Sequence, residues 1–83
     1  MRRGDEFDMK IQVKMIGSLM YEAGFSEKEI EVPALTTADS LLDLIKIPRQ
    51  QPKIVIRNGR AVAPDEQLTE GDRIAISPIY SGG

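Results

Sequence analysis

The sequence closes on "ISPIYSGG", and this stretch holds the clearest chemical opportunity in the chain. Gly82 and Gly83 have no Cβ, so the backbone there can pass a constriction and take φ/ψ values closed to other residues. A main-chain carboxylate ending at Gly83 can be threaded lengthwise into a narrow, water-excluding cleft, a reach that side-chain carboxylates lack. Such a group is a poor electrophile and needs a leaving group before a nucleophile can attack it. From Pro78 to Gly83, at about 3.3 to 3.6 Å per residue, the tail spans on the order of 18 Å. Pro78 stiffens its exit or simply terminates a strand. Ile79 and Tyr80 either grip the mouth of a channel by apolar contact or tuck back onto the sheet. Terminal glycines also occur as plain fray, and Ser81-Gly82-Gly83 taken alone fits that reading as well.

Other chemistry is scarce. Cysteine and histidine are absent, which removes disulfides, thiolate nucleophiles, the usual zinc ligand sets and the commonest general base. The remaining Asp, Glu, Lys, Ser and Tyr residues form no recognisable catalytic constellation, so the chain is not expected to be an enzyme and no bound cofactor or metal is expected. With 11 basic against 13 acidic residues it lacks the basic excess that nucleic-acid binding demands. No apolar run approaches a membrane span and no signal peptide precedes the first strand, so a cytoplasmic location is expected. At 83 residues, 41% apolar and 29% charged, the chain reads as one ordinary folded domain.

The elements that must hold such a tail follow from patterning. Residues 1–8 are polar and read as a loose leader, residues 9–78 as the domain, and 79–83 as the flexible tail. "MKIQVKMIG" alternates Ile11, Val13 and Met15 with Lys10, Gln12 and Lys14, a half-buried strand. Gly24 and Ser26 then turn the chain into a second strand, where Ile30 and Val32 alternate with Glu29 and Glu31 until Pro33 closes it. "TTADSLLDLIKI" starts a helix at Thr36 or Thr37, with Leu41, Leu42, Leu44 and Ile45 as its apolar face, and Pro48 ends it within about two residues. "KIVIRNGRAV" predicts two short strands around Asn58-Gly59, the pair that best supplies positive φ twice in a tight hairpin. A turn over Pro64 to Gln67, an anchoring Leu68 and a loop at Glu70-Gly71-Asp72 lead into a last strand from Arg73 to Ser77. One main helix on one face of a mixed sheet of four to five strands is an α+β arrangement.

This order, with "VIRNGRAV", "LTEGDRIAISP" and the closing "SGG", resembles the ubiquitin-like β-grasp fold and, more narrowly, the ThiS/MoaD sulfur-carrier family. The matching motifs span roughly the last third of the chain. The resemblance implies that an E1-like adenylating enzyme, using ATP and Mg²⁺, activates the Gly83 carboxylate. A sulfur donor protein then converts it to a thiocarboxylate, which a downstream synthase or acceptor uses in molybdopterin or thiamine biosynthesis or in tRNA thiolation. The alternative it leaves open is a ubiquitin-like protein modifier conjugated to lysines through Gly83. A β-grasp interaction module without carboxyl chemistry is the reading from another class.

A carrier of this kind needs a docking face as well as a tail. Strand parity puts Ile54 and Ile56 inward and leaves Val55 exposed among cations, making Val55, Arg57, Arg73 and Ala75 the candidate face. A comparison with ubiquitin can reverse that parity. A merely solvated sheet face is the alternative.

Overall fold

The computed structural model describes residues 8–48, 50 and 52–79. Seven elements follow in order: β1 (Met9–Met15), α1 (Leu19–Ala23), β2 (Glu27–Val32), α2 (Ala38–Leu44), β3 (Lys53–Arg57), β4 (Arg60–Ala61) and β5 (Arg73–Pro78). The strands form one five-stranded sheet in the order β2-β1-β5-β3-β4. β1 runs antiparallel to β2 and parallel to β5, and β3 lies antiparallel to both β5 and β4. This is the β-grasp fold that the element order predicts.

The alternation in β1 is carried through completely. Met9, Ile11, Val13 and Met15 are buried, and Lys10, Gln12 and Lys14 are exposed. Ile74 and Ile76 of β5 join them beneath α2, where Leu41 and Leu42 close the core with Leu19, Val32 and Leu68. Burying each of these aliphatic side chains contributes about 1.5 to 3 kcal/mol before the entropy of ordering the chain is counted.

α1 has no counterpart among the elements expected from the patterning. Its five residues are too few to show a helical period, and it is held by tertiary packing of Leu19, which is completely buried. Gly24, at φ 86°, closes it in the left-handed region and donates its N–H to Met20 O.

α2 settles the choice between the two threonines. Thr37 is the N-cap, its hydroxyl accepting from Ser40 N at 3.1 Å, while the buried Thr36 donates its own hydroxyl to Pro33 O at 2.6 Å. Replacing Thr37 with alanine is expected to cost about 1 kcal/mol and to lower the thermal midpoint by about 4–8 °C. The helix stops earlier than Pro48 requires. Lys46 turns left-handed at φ 64°, donating to Asp43 O, and the N–H of Ile47 reaches back to Leu42 O at 3.0 Å. Leu44, expected on the buried face, is 51% exposed because the helix ends there and its apolar stripe faces the sheet only through Leu41, Leu42 and part of Ile45.

Candidate functional site

The closing residues follow the central strand of the sheet. β5 is flanked on both sides, by β1 in parallel register (Val13 opposite Ile74, Met15 opposite Ile76) and by β3 in antiparallel register (Val55 opposite Ile76, Lys53 opposite Pro78). Pro78 is buried as its last residue. One residue on, Ile79 still donates its N–H to Pro52 O at 3.1 Å, so the chain's direction is fixed as it departs. The Ile79 side chain is 51% exposed and borders a shallow groove beside Leu42 and Val62. Tyr80, Ser81, Gly82 and Gly83, the rest of the expected tail, lie outside the described residues.

The sheet face away from α2 differs from the sequence expectation in half of its members. Val55 is a core residue, 8% exposed and opposite Ile76. Ile54 and Ile56 take the open face instead, opposite Ser77 and Ala75. Because "KIVIR" is apolar at both parities, alternation alone could not choose. The register with β5 decides it, since Ile76 must be buried and its partner Val55 goes with it. Arg73 and Ala75 do lie on the open face, beside Gln12 and Lys14 of β1. Ile54, Ile56 and Ala75 there make a half-buried apolar strip bordered by exposed Lys14 and Arg73.

Arg57 is the second departure. It lies on Val55's side of β3 and is engaged by acids: Nε donates to Asp72 Oδ2 at 2.6 Å, Nη1 to Glu66 Oε2 at 2.8 Å and Nη2 to Thr69 Oγ1 at 3.2 Å. Asp72 is buried and also accepts from Asn58 Nδ2, Thr69 N and the Thr69 hydroxyl, at 2.8 to 3.0 Å. Asn58 Oδ1 accepts from Arg73 N at 2.9 Å, which ties the hairpin turn to the start of β5. Burial by itself would push the Asp72 carboxyl up. The bonds from the Thr69 N–H, Arg57, Asn58 and the Thr69 hydroxyl outweigh it and hold the group below its ordinary value. The same carboxylate raises Arg57 above its usual value. The network clamps the far end of β5 from the tail. Glu70-Gly71-Asp72 has the composition of a plain loop, and nothing local in it signals that Asp72 meets residues 14 and 15 positions away.

Among the described residues no group of three or more acidic side chains could hold a metal ion, and no helix is long and apolar enough to cross a membrane. The described residues offer an apolar, cation-bordered sheet face and a β5 end held by the Ile79 N–H bond to Pro52 O.

Comparison with known proteins bears on the same features. No significant sequence match is found among curated proteins. Among solved structures, a Pyrococcus furiosus protein described as molybdopterin converting factor, subunit 1, is 27% identical with a TM-score of 0.73, over 84% of this chain and 97% of that one. SAMP1 from Haloferax volcanii is 26% identical with a TM-score of 0.73, over 89% of this chain and 99% of that one. The small archaeal modifier protein 1 of Methanosarcina acetivorans shares the fold, with 21% identity and a TM-score of 0.64 over 92% and 98% of the two chains. The ThiS family model matches residues 13–83, a span that takes in β5, its clamp and both closing glycines. On that match the chain belongs to the ThiS family, within the small ubiquitin-like β-grasp proteins that act as sulfur carriers and modifiers.

Proposed function

We propose that this protein is a cytoplasmic sulfur carrier whose working group is the carboxylate of Gly83. The observation that carries the reading is the family match running through Gly82 and Gly83, together with a β5 terminus whose direction is set by the Ile79 N–H bond to Pro52 O. An E1-like partner supplies ATP and Mg²⁺. The carboxylate oxygen attacks the α-phosphorus and pyrophosphate leaves. Sulfur at the sulfide level, delivered by a donor protein, displaces AMP from the acyl carbon and leaves a thiocarboxylate. Each step happens in the partner's cleft, and this chain contributes the acyl group and a stalk slim enough to enter. The thiocarboxylate then serves a synthase or acceptor in molybdopterin or thiamine biosynthesis or in tRNA thiolation.

The test is an intact-mass measurement. Incubated with an adenylating enzyme of this class, Mg²⁺-ATP and a sulfur donor, the full chain should gain the mass difference of sulfur for oxygen at its terminal residue. An unchanged mass, with a control carrier converted in the same mixture, would sink the proposal. A second reading, conjugation to lysines, is favoured by the likeness to SAMP1, and lysine-linked adducts in place of free thiocarboxylate would select it. An interaction module is distinguished by deleting Gly83, which such a module would tolerate.

The open-face strip of Ile54, Ile56 and Ala75, with its cationic border, is suited to a partner offering apolar contacts rimmed by acids. Ile56→Asp should raise the KM of the activating enzyme for this chain about tenfold or more while the fold is kept. An unchanged KM would remove this face from the docking surface.

A further inference from the structure

β2 ends the sheet, with β1 on one side and no strand on the other among the described residues. The backbone phase of its free side follows from the pairing. Met15 N donates to Ser26 O at 2.8 Å, and the same register sets Val13 opposite Lys28 and Ile11 opposite Ile30. Residues at that phase, Lys28, Ile30 and Val32, therefore turn their peptide groups toward β1, and Glu27, Glu29 and Glu31 turn theirs outward. β1 obeys the complementary phase on its other side. Gln12 N donates to Asp72 O, and Lys10 O accepts from Gly71 N.

Two side-chain rows flank these outward peptide groups. On the α2 side, Ile30 with Phe25, Pro33, Leu44 and Ile45 lines a largely apolar groove along the edge, to which Lys28 and Lys46 also contribute, so that this side takes aliphatic rather than basic side chains, and Leu44 is the residue left half-exposed by the early end of α2. On the open side stand Glu27, Glu29 and Glu31, all exposed. The row of glutamates decides what can pair here. For a second copy of β2, any register that keeps the two Ile30 rows on the groove side sets glutamate against glutamate, and like charges directly opposite are destabilising. A strand with cations at alternate positions meets the opposite situation. β1 already does this from within, placing Lys10 opposite Glu31 and Lys14 opposite Glu27.

We infer that the free edge of β2 is a docking site for an extended, basic segment of a partner protein. Lysine or arginine at alternate positions lies against Glu27, Glu29 and Glu31, and aliphatic side chains between them enter the Ile30 and Leu44 groove. Such a segment joins the five-stranded sheet as an added strand, its affinity coming from main-chain bonds and its selectivity from the charges. The edge is separated from β5 by β1, so it can be occupied while the tail is engaged elsewhere, and it does not depend on carboxyl chemistry.

The experiment titrates the full ¹⁵N-labelled chain with a blocked peptide of alternating lysine and valine or isoleucine, and with the same peptide carrying glutamate for lysine. Binding of the lysine peptide should shift the Glu29 and Glu31 amides and slow their exchange with solvent, leave the Lys28 and Ile30 amides protected as before, and weaken as salt is added. Glu29→Lys should weaken it about tenfold by replacing attraction with repulsion at the central position. Glu29→Pro should abolish it without unfolding the chain, because that N–H makes no bond within the sheet. Should the proline variant fail to fold, the lysine variant still decides. Absence of binding, equal binding of the glutamate peptide, or shifts centred on Ile56 and Ala75 would each overturn the inference.

Discussion

Adding one bulky residue after Gly83, or replacing Gly82 with valine, is expected to cut thiocarboxylate formation by about a hundredfold or more while the folded domain is unchanged. The reason is steric and conformational. Valine brings a branched Cβ that narrows the accessible φ/ψ range and widens the stalk, and an extra residue moves the carboxylate away from the reacting phosphorus. In-line attack has little tolerance, since misplacement by about 1 Å can cost a hundredfold. The loss should fall on the chemical step, in contrast to the Ile56→Asp effect on KM, so the two substitutions separate docking from delivery. Single-turnover mass spectrometry with the activating enzyme measures it. A Gly82→Val chain that is converted at the normal rate would mean that the cleft does not enclose the tail.

The second large effect concerns the clamp at the other end of β5. Asp72→Ala removes an acceptor for four donors, from Arg57, Asn58 and the Thr69 N–H and hydroxyl. Leaving buried donors unpaired costs about 1 to 3 kcal/mol, and removing one member of a buried ion pair can cost more. Arg57 keeps Glu66 as a partner at 2.8 Å, so the expected loss is about 2 to 3 kcal/mol, and each kcal/mol lowers the thermal midpoint by about 4–8 °C in a domain of this size. The carboxyl is held below its ordinary value of 3.8, which fixes the sign with pH. Its contribution is fully present above about pH 3.8 and is lost as pH falls through the lower folded-state value. Wild-type stability should therefore drop on acidification in that range, and Asp72→Asn, which cannot ionise, should lack this component. Urea midpoints for the two chains between pH 2.5 and 7 check it (roughly the range over which a carboxylate titrates). Parallel curves would remove Asp72 as the source.

Much of the fold was legible because the informative residues act locally. The alternation of β1 is written in seven consecutive residues, and Asn58-Gly59 predicts its own turn, with φ of 51° and 88° as a two-residue hairpin requires. What was not legible depends on partners distant in sequence. Val55 is inward because Ile76 opposite it is inward, and a strand apolar at both parities cannot reveal that. Leu44 fits a helical stripe, but its exposure follows from where Lys46 turns left-handed. Asp72 sits in a turn-forming triplet, and its role as an acceptor arises only when the Asn58 hairpin folds against it. The candidate site divides the same way: the closing glycines are read from the sequence alone and lie outside the described residues, whereas the Ile54 and Ile56 strip needed the register.

The placement of β5 has a mechanical corollary. A partner that draws the tail into its cleft pulls along the axis of β5, and the ladders to β1 and β3 lie across that axis on both sides. The load is then shared in shear by the rungs of two ladders, where a strand at the sheet's edge would have only one. The protein can be tugged by its handle without coming undone.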